Sequence, residues 1–283
     1  MDGTTEPILA IIGHPIAGNP TQFALESGFA TAQMDCRVLS IDLAQDKVAA
    51  AIAGMDAMGF QGVWVTPACQ AAVAKSLDNA SIEDSSEEPA TPILLDFLTR
   101  SALPQSDSAW SPHALKTQVW AKLASNAIQK RNRGCAKLWW VDAAASFSQP
   151  NLVLEKKVLL DQMHQVKQAA WVDWTVDQVE IVDVPSQIEQ GDDDEDHVIV
   201  FARTPELPLK WRMPNQSVTI DLNENWDASH LARWDRIKSS STGVCIRSAD
   251  VHAACLSQLT TLLFGLHVDN EVFLEAIDEY LAV

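Results

Sequence analysis

From residue 8 onward, short apolar runs alternate with longer stretches of helical period. Ile8 to Ile12 is a continuous apolar run that stops at Gly13, the pattern of a strand buried on both faces. Pro20 through Gln33 has the composition of a helix, and Arg37 to Ile41 reads as a second strand. Between Leu43 and Met58 the apolar Val48, Ile52 and Met55 fall at i, i+4 and i+7, one face of a helix, with Gly59 placed to end it. Val63 to Thr66 is a third strand and Gln70 to Leu77 a short helix. Strand, helix, strand, helix, strand predicts a parallel sheet covered by helices.

Ser81 to Pro92 is rich in Ser, Glu, Asp and Pro and reads as a solvated loop. A second unit follows, with a helix predicted over His113 to Gln129 and strands over Ala136 to Val141, Gln178 to Val182, Val198 to Phe201 and Val218 to Leu222. Val153 to Trp171 is expected to be helical, and the acidic run Asp192 to Asp196 to be a loop rather than a calcium site. Leu256, Leu259 and Leu263 define a helix ended by Gly265, and Phe273, Ile277 and Leu281 define the last one. The expected fold is therefore α/β with two domains. An N-terminal parallel-type domain, 1–105, is completed by the C-terminal helices, 247–283. A Rossmann-like doubly wound domain occupies 106–246.

With 283 residues, the chain is near the size at which one core splits into two. No apolar run approaches the ~18 residues that span a bilayer, and the first residues lack a positive n-region, so a cytoplasmic protein without a membrane role is expected. Its 38 acidic residues against 20 basic ones give a net charge of -18, which argues against a nucleic-acid partner. One window runs the other way: Lys116, Lys122, Lys130, Arg131, Arg133 and Lys137 occur where no acid does, as a solvated helix end or a grip for an anion or acidic protein partner. The five cysteines are scattered without a C-x-x-C, so they read as reduced packing residues and no metal site is expected.

In a parallel sheet, ligands gather beyond the carboxyl ends of the strands. Two segments fall there: Gly13-His-Pro-Ile-Ala-Gly-Asn-Pro-Thr21 after the first strand, and Trp64-Val-Thr-Pro-Ala-Cys-Gln70 after the third. Together with Gly59-Phe-Gln-Gly-Val63 they resemble the substrate-binding domain of the shikimate dehydrogenase family, which carries G-N-P-I-x-H-S-x-S-P and, later, G-F-x-G-x-N-V-T-x-P-x-K. Gly243-Val-Cys-Ile-Arg-Ser-Ala-Asp250 is similar to its last motif, G-x-x-M-L-x-x-Q-A.

The resemblance assigns substrate binding to Asn19 and Thr21 in place of the family's two serines, to the retained Thr66, to Gln70 in place of the catalytic lysine, and to Asp250 in place of the motif glutamine. It also places Trp64 where the family has an asparagine. Its catalytic aspartate belongs near Ala114, and no acid occurs from Ser108 through Val141. His113 is the titratable substitute there, and it reads first as a capping or surface residue. NADP is the cofactor implied if the family's activity survives, and otherwise none is expected. The dinucleotide turn requires glycines, whereas Val141-Asp-Ala-Ala-Ala-Ser146 has none. A carboxylate at Asp142 about 5 Å from a phosphate would cost about 3 kcal/mol at an effective dielectric of about 20, so an N-cap is the better use for it.

The reading that follows is a shikimate dehydrogenase-like protein with impaired or absent hydride transfer and a residual role in binding a small polyol or carboxylate ligand, or a protein partner. The alternatives are an active NADP-dependent shikimate dehydrogenase with atypical catalytic residues, and a scaffold whose tryptophan-rich surfaces make contacts.

Overall fold

The run Ile8 to Ile12 forms the strand it predicts, at the centre of a chain that a computed structural model describes over residues 6–81, 95–100, 110–129, 135–142, 175–182, 196–203, 217–240 and 242–283. In chain order the elements begin β1 (Ile8–Gly13), α1 (Thr21–Thr31), β2 (Arg37–Asp42), a 3-10 turn (Gln45–Lys47), α2 (Val48–Ala57), β3 (Gly62–Val65), α3 (Pro67–Ser81), β4 (Phe97–Arg100) and β5 (Trp110–His113). They continue α4 (Leu115–Gln129), β6 (Cys135–Asp142), β7 (Thr175–Val182), β8 (Asp196–Arg203), β9 (Ser217–Asp221), α5 (Ala228–Ser240), β10 (Val244–Ile246), α6 (Ser248–Phe264) and α7 (Asn270–Leu281). The chain divides into unit 1, Met1–Leu115 with His252–Val283, and unit 2, Lys116–Val251.

The sheet of unit 1 has the order β2-β1-β3-β4-β5. β1 runs parallel to β2 and β3, as the alternating pattern predicts, but β4 and β5 form an antiparallel hairpin on β3, so the sheet is mixed. The pattern hides this hairpin because β5 is Trp-Ser-Pro-His, a segment whose proline is tolerated only on a sheet edge, where β5 lies. Side chains alternate across the sheet. Ala10, Ile12, Val63 and Val65 enter a core with Val48, Ile52 and Met55 of α2 and Cys69 and Val73 of α3. On α1, Gly28 faces Phe273 of α7, so the two ends of the chain meet here.

Unit 2 holds an all-parallel sheet, β10-β9-β8-β6-β7, in agreement with a doubly wound domain. Leu138 to Val141 and Val198 to Phe201 are buried throughout, which is why they read as unbroken apolar runs. Trp139 packs with Ile199, Phe201 and Trp234, while Trp140 meets Trp120 edge to face at 6.0 Å. These indoles fill the interior. The helix expected over residues 153–171, Trp171 and Trp174, and the acidic run 192–195 lie outside the described residues.

Candidate functional site

The loop after β1 is shaped by a close approach. A Cβ on Gly13 would stand 2.6 Å from the Thr66 hydroxyl, so only glycine lets the two strand ends come together. Thr66 extends the ladder beyond β3, donating its N–H to the Ile12 carbonyl at 3.0 Å. Gly18, at φ +80°, turns the chain, and the Asn19 side chain accepts the Thr21 N–H at 2.9 Å, fastening the loop to the start of α1. Thr21 is fully buried, with its hydroxyl 2.8 Å from His252 Nε2 on α6. The His252 ring stands edge-on to the Trp64 indole, 4.9 Å between centroids.

Trp64 and Thr66, two residues apart, share the sheet face opposite the α2/α3 core. Trp64 is 1% and Thr66 7% exposed, yet neither the indole N–H nor the Thr66 hydroxyl has a hydrogen-bond partner among the described residues. Gln70 is half-buried in the first turn of α3, and its side chain makes no hydrogen bond among the described residues. Asn19, Thr21, Thr66 and Gln70 thus all belong to the carboxyl ends of β1 and β3 and the segments that follow them. Asp250 belongs to unit 2. There it accepts the Arg247 N–H at 2.8 Å and Arg247 Nε at 3.2 Å, closing the start of α6 as half of a capping box.

His113 is the last residue of β5, not the start of a helix. Cross-strand pairing puts it beside Phe97, and Phe97 beside Trp64, so the three rings form a row across the sheet with centroids 6.3 and 6.4 Å apart. Its Nε2 lies 2.8 Å from the Thr99 hydroxyl, and burial holds its pKa below the usual 6.5, favouring the neutral imidazole. The Cys69 thiol is pushed up, first by burial and then by Asp42, and it packs against the Leu43 carbonyl as an unreactive side chain.

Three groups escape a reading of the sequence. Asp96, fully buried, accepts the Leu115 N–H at 2.7 Å, while its backbone bonds Val65 and His113. A carboxylate from the residue just before β4 therefore stands beside position 114, although no acid occurs in the chain from 108 to 141. Its one signal is an acid embedded in the apolar stretch Ile93-Leu-Leu-Asp-Phe-Leu98. His252 is hidden within a leucine-rich helix, and His14 and Asp42, 2.6 Å apart, meet across two strand ends. The basic window also changes character: Lys116 is buried and its ammonium lies 2.5 Å from Glu224. Lys122 remains exposed, while Lys130, Arg131 and Arg133 lie outside the described residues.

Strand β6 closes on Asp142, and residues 143–150, the rest of the turn, lie outside the described residues. A carboxylate closing that strand would repel a pyrophosphate. No helix among the described residues is long and apolar enough to cross a membrane, and none of their His, Cys, Asp or Glu side chains cluster as a metal site.

No protein-family model and no curated protein sequence matches the chain. Solved structures do. Shikimate dehydrogenase from Aquifex aeolicus is 12% identical, with 98% of this chain and 99% of that one covered, at a TM-score of 0.62. Shikimate 5-dehydrogenase from Thermus thermophilus, in complex with NADP(H) and shikimate, is 12% identical over 97% and 99% of the two chains, at 0.57. The 5-ketofructose reductase of Gluconobacter sp. strain CHM43 is 13% identical over 98% and 99%, at 0.59. Over nearly its whole length, the chain has the fold of the shikimate dehydrogenases.

Proposed function

We propose that unit 1 binds a small polyol or carboxylate ligand through Asn19, Thr21, Thr66 and Gln70, and that NADP-dependent oxidoreduction of shikimate is impaired or absent. The observation that carries this reading is the Thr66 hydroxyl, buried without a partner where a parallel sheet receives its ligands. Beside it, the position of the family's lysine is Gln70, which hydrogen-bonds but moves no proton near neutral pH. General acid-base assistance contributes typically about 100- to 10,000-fold to a rate, so its loss weighs heavily. Asp142 and the glycine-free residues after it weaken the cofactor side independently.

The test is a titration of the purified protein with NADPH and with shikimate separately, followed by tryptophan fluorescence, with an absorbance assay for turnover. Binding of the shikimate-like ligand without turnover supports the proposal. Appreciable turnover with NADP near neutral pH overturns it and favours the second reading, an active dehydrogenase with atypical residues. Asp96 supports that second reading, because its carboxylate stands beside the position of the missing acid. Among the described tryptophans, Trp64, Trp110, Trp120, Trp139, Trp140 and Trp234 are buried and Trp226 is half-buried, so these seven give a tryptophan-displaying scaffold no support.

A further inference from the structure

Trp64 and Thr66 narrow the ligand further than the proposed binding role, on which this inference rests. An indole N–H only donates, whereas the asparagine of the resembled motif both donates and accepts. A hydroxyl does either. The pair therefore suits an oxygen that accepts from Trp64, and the cost of leaving two buried polar groups unpaired is relieved when that oxygen arrives. Thr21 and His252 are already bonded to each other, and the row from Trp64 through Phe97 is aromatic.

Charge sets the second condition. The lysines and arginines of unit 1 are Arg37, Lys47, Lys75 and Arg100. Arg37 pairs with Glu6 and Arg100 with Asp56 at the opposite end of the sheet, as the bonds from Arg37 to Pro7 and from Arg100 to Gln61 locate them. Lys47 pairs with Asp46, and it and Lys75 sit on the 3-10 turn and α3, which cover the other face. Unit 1 thus places no lysine or arginine on the face of Trp64 and Thr66, and the imidazoles there, His252 and His113, are engaged by the hydroxyls of Thr21 and Thr99. A carboxylate buried there would lack a permanent counter-charge, which is far costlier than burying a hydrogen-bonded neutral oxygen.

We infer that Trp64 and Thr66 form the specificity element of the unit 1 site, selecting an uncharged polyol or keto-polyol whose carbonyl or hydroxyl oxygen they bind, and rejecting carboxylates. The full-length protein is titrated with shikimate, with its neutral methyl ester, and with 5-ketofructose, reading affinity by calorimetry and the Trp64 indole N–H by NMR, its resonance assigned from its absence in Trp64→Phe. The methyl ester binds at least about tenfold more tightly than shikimate, and the indole resonance moves on binding. Trp64→Phe and Thr66→Val each weaken the neutral ligand about tenfold, the size of one lost hydrogen bond. Thr66→Val, close to isosteric, leaves the melting temperature of the ligand-free protein unchanged, since it removes no bond made within it, whereas Trp64→Phe lowers it by the packing that the smaller ring gives up and is therefore read by affinity and NMR alone.

Shikimate binding more tightly than its ester, or unchanged affinity of the ester in both variants, overturns this inference and leaves the broader binding role standing. A drop in ligand-free melting temperature in Thr66→Val also overturns it, by showing that the hydroxyl serves the fold. No binding of any of the three probes to the intact protein overturns both.

Discussion

Burial lowers the pKa of His113, and the sign of that shift makes a prediction. The unfolded chain takes up a proton near the ordinary 6.5, while the folded protein resists it, so between those two values the unfolded state holds more protons. This contribution to stability is complete above 6.5 and is lost as pH falls through the window below it. His113→Gln, which keeps a side-chain hydrogen-bonding group near Thr99, should therefore flatten the fall in urea stability between neutral and mildly acidic pH. A variant whose pH profile parallels that of the parent would show that His113 accepts its proton as readily folded as unfolded. At this scale the sequence is legible only where spacing is fixed by one element. Thr66 and Gln70 are found by counting from one strand into one helix. Asp96 and His252 are not, because their partners Leu115 and Thr21 are distant in the chain, and only the hairpin and the final helices bring them close.

Helices α1 and α7 show the same dependence on distant pairing at the scale of elements. The helical periods of both can be read from the sequence, but the partner of each cannot. A Cβ added to Gly28 would meet the Phe273 ring at 2.2 Å, so the two helices approach only because glycine lies at the crossing. Alanine in place of glycine should gain about 1 kcal/mol of helix propensity. Displacing a fully buried ring costs more, typically about 1–3 kcal/mol for overpacking. Gly28→Ala is expected to lose up to about 2 kcal/mol net in urea unfolding, and combining it with Phe273→Leu should recover part of that loss, a coupling that a double-mutant cycle isolates. Additive effects would separate the two helices energetically. The β4–β5 hairpin is illegible for a different reason. Short strands interrupted by Pro112 carry too little period-2 pattern, and their antiparallel pairing follows from tertiary context. β1, β3, β6 and β8 are legible because burial on both faces leaves a continuous apolar run.

At the scale of the whole molecule, the chain leaves unit 1 at Leu115 and returns to it at His252, so unit 1 is assembled from both ends while unit 2 is continuous. The C-terminal part supplies His252 against Trp64 and Thr21, and Phe273, wholly buried, against Gly28. Truncation after Gly265 removes α7, along with the Phe273 and Ile277 side chains that it buries. Each large apolar side chain removed from a core costs typically about 2–5 kcal/mol, and a domain's whole stability is only about 5–15 kcal/mol, so unit 1 should not survive the loss. Unit 2 keeps its five-stranded parallel sheet and the packing of Trp139, Phe201 and Trp234. Calorimetry of the truncated chain should therefore show the disappearance of one unfolding transition and the persistence of the other. The indole N–H of Trp64 should collapse to its unfolded NMR position, while that of Trp234 stays dispersed. If both resonances collapse together, the units fold as one cooperative body despite their separate cores. If both stay dispersed, the last helix contributes little to unit 1, and the close approach at Gly28 is incidental to its stability.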